Sequence, residues 1–170
     1  KISIVMQRGP NAQNWSERVV LWFGTLRMKA IERVCGAPLI YTDWGGAARA
    51  VMKTWKQEVS VLGLIDLPPP LVDRTAEVQF FGDTAHFPPS LIELAVRKGL
   101  PVYAFVGRWD ATTLQPRVNV TLLSSGSTHT LLQEAVAKLE SAVRARPGAW
   151  HSWGESVLYF DANRGGERAK

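Results

Sequence analysis

Apolar residues along this chain change period repeatedly, and each change marks an element. Ile2 to Met6 is a short apolar run with β-branched residues, which predicts a buried strand. Arg8-Gly9-Pro10-Asn11 breaks it. Trp15, Val19, Trp22, Phe23, Leu26 and Ala30 then recur at helical spacing, so a helix is expected from about 14 to 34. Arg18, Arg27, Lys29 and Arg33 lie mostly off that stripe, and Gly36-Ala37-Pro38 stops the helix. A short strand over 39–42 follows, then a turn at 43–46, where Asp43 or the glycines can cap a helix over 47–57. Val59 to Ile65 is apolar with little alternation, as in a central parallel strand.

Pro68-Pro69-Pro70 cannot be strand interior. Glu77 to Phe81 predicts a strand, and Pro88-Pro89-Ser90 opens a helix that ends at Lys98-Gly99. Strands are expected over 100–106 and 117–123, and a helix from Thr128 to about Arg146 with Leu131, Leu132, Ala135, Leu139 and Val143 inward. Trp150 to Phe160 is aromatic and has no clear period. Alternating strands and helices call for an α/β fold with a mainly parallel sheet flanked by helices on both faces, a three-layer sandwich. The expected organisation is one domain over 1–160 and a polar tail over 161–170.

The 170 residues carry a formal charge of +5 and 46% hydrophobic residues, enough for a full core. A basic balance suits nucleic acid, an anionic membrane surface or phosphorylated ligands, or solubility alone. The basic residues are scattered and match no nucleic-acid reading motif. A single cysteine, Cys35, allows no internal disulfide and fits a reducing compartment. No run approaches a membrane span, and no signal peptide is read. The chain begins at Lys1, which raises the expectation of a processed or excised piece. No Gly-x-Gly-x-x-Gly, phosphate-loop or Gly-x-Ser-x-Gly motif is present, which argues against a dinucleotide enzyme, an NTPase and a serine hydrolase.

Candidate chemistry gathers between Val61 and Asp110. Asp66 ends the most apolar strand, where open α/β sheets bind ligands; it reads as a ligand contact or as a loop cap. Phe80-Phe81-Gly82 turns sharply, and Gly82 permits close backbone approach, or is only a turn. Ser90 lies in a helix start whose free amides suit an anion, as those of every helix start do. Arg108 follows a strand and suits phosphate or carboxylate, or a pair with Asp110. His86 falls in the loop beside the glycine turn and is the histidine best placed for chemistry. His129 and Glu134 are five apart on a helix and do not share a face. The histidines and cysteine have no zinc spacing, and no metal is expected.

Taken together, Val5-Met6-Gln7-Arg8 with Asn11, the Arg33…Gly36 pair, the strand into Asp66, and Val78-Gln79-Phe80-Phe81-Gly82 resemble the lysophospholipid acyltransferase superfamily, in its bacterial lipid A lauroyl/myristoyl acyltransferase branch. Leu94-Ala95, Gly99-Leu100-Pro101-Val102 with Arg108, and Glu140…Arg144…Pro147…Trp150 continue the likeness over roughly 3–160. The resemblance implies transfer of a fatty acyl chain from acyl carrier protein or coenzyme A to a lipid or glycolipid hydroxyl. It implies no further cofactor, and a peripheral place on the cytoplasmic face of the inner membrane. It also implies that Asp66, Phe81, Gly82, His86, Ser90, Arg108 and Arg33 shape the substrate site. The family's His-x4-Asp/Glu base and orienting acid belong ahead of the first strand and are absent from this sequence, so the isolated chain is expected to be inactive. The helix after Phe-Phe-Gly opens on Pro88-Pro89-Ser90 where the family has a threonine-glycine step. The alternative is an accessory module of the same fold that binds an acyl carrier or an acidic partner. A third reading is an unrelated α/β domain that binds phosphate or nucleotide at the Asp66 edge.

Overall fold

The computed structural model describes residues 1–6, 14–42, 46–110, 112–113 and 115–160. The chain divides into two compact units, Lys1–Leu64 and Ile65–Lys170. The expected tail over 161–170 lies outside the described residues, as do Arg8, Asn11 and Asp43.

In the first unit, β1 (Ile2–Met6) is central between β2 (Ile40–Tyr41) and β3 (Ser60–Leu62), and both pairings are parallel. Helices α1 (Trp15–Cys35) and α2 (Ala47–Lys56) make the crossovers that parallel strands require. Ser3, fully buried on β1, donates its hydroxyl proton to the Pro38 carbonyl. Glu32 accepts the Leu39 amide at 2.9 Å, so the end of α1 is tied to the entry of β2. Gly46 caps α2 with φ at 70°.

The second unit contains β4 (Ala76–Phe80), β5 (Asp83–Phe87), α3 (Ser90–Arg97), β6 (Tyr103–Trp109), β7 (Pro116–Leu122), α4 (Thr128–Ala145) and the short α5 (Val157–Phe160). The strands pair only as two antiparallel hairpins, β4–β5 and β6–β7. The expected three-layer sandwich around a mainly parallel sheet is therefore not the architecture found. Parallel pairing stops at three short strands. The reason is connection length: a parallel crossover needs about a dozen residues or more. Only Phe81-Gly82 joins β4 to β5, and only 110–115 joins β6 to β7. Phe81 and Gly82 both have positive φ, 56° and 92°, the backbone of a two-residue hairpin turn.

Helix α4 organises this unit. Ser127 is its N-cap, its hydroxyl accepting the Thr130 amide at 3.2 Å, one position before the expected Thr128. Leu131, Leu132, Ala135, Val136 and Val143 of α4 are buried with Val78 and Phe80 of β4, Ala85 and Phe87 of β5, and Ile92 and Ala95 of α3. The segment without a readable period is aromatic because it closes this core: Trp150 and Tyr159 are buried in it. Helix α3 ends as expected, with Gly99 at φ 64° and the Leu100 amide bonded back to the Ala95 carbonyl.

Candidate functional site

The double-phenylalanine bend is held by α4. The Phe81 amide donates to Glu140 Oε2 at 2.8 Å. The other carboxylate oxygen of Glu140 accepts from Arg144 Nε at 2.9 Å and pairs with its terminal nitrogen at 2.8 Å. The Arg144 guanidinium in turn lies 4.7 Å above the Phe81 ring. Two turns earlier on α4, the Gln133 side-chain amide takes the place of a neighbouring strand. It accepts the Gln79 amide at 2.8 Å and donates to the Gln79 carbonyl at 2.9 Å. The Phe81 amide, and Arg144 after it, hold the Glu140 carboxyl below its ordinary range. Glu140 is thus a fixed carboxylate whose hydrogen bonds go to the bend, which suits a positioning role and leaves it a poor proton acceptor.

Below the bend sits an aromatic cluster. Phe80 meets Phe87, Trp150 and Phe160 at centroid distances of 5.2, 5.7 and 6.0 Å. Tyr159 lies 5.0 Å from Phe87 and 5.9 Å from Trp150. Its hydroxyl donates to the Asp66 carbonyl at 2.7 Å, and the Ser152 hydroxyl approaches the same oxygen at 3.5 Å. Burial pushes the Tyr159 phenol up to about 12. Asp66 and the Phe80-Phe81 bend therefore meet through this cluster, and the anchoring atom of Asp66 is its main-chain oxygen. Trp150 Nε1 is buried with no hydrogen-bond partner among the described residues.

The remaining expected residues are dispersed. His86 is not in a loop. It lies within β5, directly opposite Glu77 of β4, on the outward side of a hairpin whose other side holds Ala85 and Phe87. No hydrogen bond joins His86 to Glu77 among the described residues. Ser90 is the exposed first residue of α3. Arg108 stands on β6, opposite Arg117 of β7, and is exposed. It adds to the pull of the Thr113 and Thr112 amides, which lowers the pKa of Asp110; Asp110 also pairs with Arg117. No hydrogen bond or ion pair links Arg108 to Asp66, Phe81 or Gly82 among the described residues. Arg33 belongs to the other unit, in the last turn of α1.

No family model matches the chain, and no curated protein matches it.

His129 is exposed, and Glu134, five residues on, is engaged by the Ser124 hydroxyl at 2.6 Å and its amide at 2.9 Å, which lower its pKa. Among the described residues, then, no histidine is hydrogen-bonded to an orienting acid, and no group of three His, Cys, Asp or Glu can hold a metal ion.

Sequence reasoning missed one feature of the site. Glu140 and Arg144 were visible only as parts of the family pattern; the signal for their role is their spacing of four on a helix, with Phe81 the aromatic partner. The apolar stripe of α1 faces outward: Trp15, Trp22, Phe23 and Leu26 are 45–79% exposed. The opposite side, with Met28, Ile31 and Cys35, is the partly covered one. Exposed Arg18, Lys29 and Arg33 lie along one edge and foot of the stripe, and Arg27 along the other, at 100° per residue. No described helix is long and apolar enough to cross a membrane.

Proposed function

We propose that the chain is an acyltransferase-like domain acting at an anionic membrane surface on the cytoplasmic side. In this reading it helps transfer a fatty acyl chain from acyl carrier protein or coenzyme A to a lipid or glycolipid hydroxyl. Asp66, Phe81 and Gly82, which the aromatic cluster and the bend bring together, contribute to substrate binding in this reading, and the catalytic base and its acid lie outside these residues. The observation that carries the reading is the outward stripe of α1, whose indole and phenyl rings are bordered by cations. Aromatic rings flanked by cations are one feature of helices that lie in a lipid interface. Each well-placed Lys or Arg adds about 1 kcal/mol of attraction to an anionic surface. The residue pattern of the resemblance supplies the acyl-transfer half of the reading.

The test is co-sedimentation of the 170-residue chain with vesicles. Phosphatidylglycerol vesicles are expected to capture it, salt to weaken capture, and neutral phosphatidylcholine vesicles to capture it poorly. Trp22→Glu with Leu26→Glu is expected to abolish binding, and Arg27→Gln with Lys29→Gln to remove the anionic preference. Equal binding to both vesicle types, or none, would overturn the lipid-surface reading. Turnover of an acyl thioester by the chain alone would overturn the placement of the base.

An accessory, non-catalytic role is favoured by one observation: the Glu140 carboxylate at the bend and the Glu134 carboxylate on the helix of His129 are both committed to backbone amides. Capture of acyl carrier protein by the folded chain, with no transfer even after a candidate catalytic partner is added, would select that role.

A further inference from the structure

The β6–β7 hairpin has two unlike faces. Its register pairs Tyr103 with Leu122, Phe105 with Val120, Gly107 with Val118, and Trp109 with Pro116. Residues directly opposite each other point to the same side, so these eight positions make one face. β6 contributes an aromatic row and β7 an aliphatic row. On the other face Ala104 packs against the core. The first face is open: Tyr103, Phe105, Trp109, Val118, Val120 and Leu122 are 38–64% exposed. With aromatic side chains of about 150–250 Å² each, these six offer roughly 700 Å² of apolar surface. That exceeds the 300–600 Å² or so of the largest patch on a typical monomer and approaches the about 800 Å² each partner gives to a standard interface.

Charge narrows the occupant. None of the eight positions is ionisable except through the Tyr103 phenol, in a chain of net charge +5. An anionic lipid or acidic protein finds no cation in the face itself, whereas a second copy meets no like charge there. Shape narrows it further. Gly107 leaves a gap in the aromatic row, and a Cβ placed there meets no atom within 4 Å. A two-fold axis parallel to the strands, midway between two stacked hairpins, lays each aromatic row on the other copy's aliphatic row. Phe105 then covers the second copy's Val120, and that copy's Val118 fills the gap at Gly107.

We propose that this face is an isologous dimer interface between two copies of the chain, with the aromatic row of each on the aliphatic row of the other. The mass of the full chain is measured by sedimentation equilibrium from about 1 to 100 µM, the weak end of the range for interfaces of this size. A dimer is expected. Phe105→Lys and Val120→Glu, made in separate chains, are each expected to weaken self-association at least about tenfold. Mixed together they are expected to form a heterodimer, because the new lysine faces the new glutamate across the axis while the second Phe105–Val120 contact stays intact. Misfolding cannot produce that rescue, and far-ultraviolet circular dichroism checks that each variant is folded. A wild-type monomer at about 100 µM, single variants that still dimerise, or a mixture that stays monomeric would each overturn the proposal. So would a monomeric wild type whose vesicle binding is lost in these variants, which would assign the face to lipid.

Discussion

Replacing Tyr159 by Phe tests whether the aromatic cluster is anchored through the Asp66 carbonyl. The substitution deletes one oxygen and keeps the ring contacts with Phe87 and Trp150. The deleted hydroxyl is fully buried and donates at 2.7 Å. Losing a hydrogen bond of this kind costs about 1 kcal/mol net, and leaving the acceptor buried adds up to about 2. Ser152 stands at 3.5 Å from the same carbonyl, the outer limit for such a bond, so it offsets little. The expected loss is about 1–3 kcal/mol, which at a urea slope of about 2 kcal/mol/M moves the midpoint down by about 0.5–1.5 M. Trp150, packed against both Phe80 and Tyr159, makes tryptophan fluorescence a suitable probe.

Alkaline pH gives a second, independent readout of the same group. Burial raises the phenol from 10.0 to about 12, so the folded state resists its ionisation. A group with a raised folded-state pKa contributes its stability fully below the unfolded value and loses it as pH climbs through the folded value. The wild type should therefore lose about 2–3 kcal/mol between pH 10 and 12 that the phenylalanine variant does not lose, and the gap between the two should close. Equal stability at pH 7, or a gap that stays constant up to pH 12, would refute the assignment.

Two further outcomes follow from the bend. Gly82→Ala should destabilise by about 1 kcal/mol through backbone strain alone, since φ is 92° and an added Cβ meets nothing within 4 Å; an unchanged urea midpoint contradicts the hairpin turn. Glu140→Gln should cost about 1 kcal/mol at neutral pH by weakening the charged hydrogen bonds to Phe81 and Arg144. Because the Glu140 pKa is lowered from 4.5, its stabilisation is present above that value and lost as pH falls below it, so acid titration should erase the difference between variant and wild type; a difference that persists at pH 2 rules this out.

Where one local rule acts alone, the sequence is a good guide. Ile2 to Met6 is a strand as expected, though Ser3 alone of its residues is fully buried, and Ser127 with Leu131 and Leu132 starts α4 within one residue of expectation. Asp83 to Phe87 is different. Asp, Thr and His break its apolar character, so it reads as loop, although it alternates with Ala85 and Phe87 inward. Missing that strand hid the antiparallel hairpin and left a parallel sheet as the natural inference. Asp66 shows a second limit. Its carboxylate stands out in the sequence, but the atom that Tyr159 selects is the carbonyl that every residue possesses. The cluster also depends on partners as far apart as Asp66 and Tyr159, and no window of local pattern spans that distance.

Amphipathy, finally, names a face without naming what lies against it. The stripe from Trp15 to Ala30 predicts the helix but not its environment: its largest members are exposed, and Met28 and Ile31 form the more covered side. The β6–β7 hairpin poses the same problem with a different charge pattern. Both surfaces are apolar enough to need a partner. Around the α1 stripe stand Arg18, Arg27, Lys29 and Arg33, whereas the hairpin face has no ionised side chain among its eight positions. Desolvating a cation is unfavourable unless an anion replaces the water, which is the reason an anionic lipid plane is the proposed occupant of the first surface. The uncharged hairpin face has no such requirement. Arg108 and Arg117 are carried on the reverse face of the same hairpin, so it is the uncharged interior of its open face, and not a lack of nearby cations, that separates it from the α1 stripe.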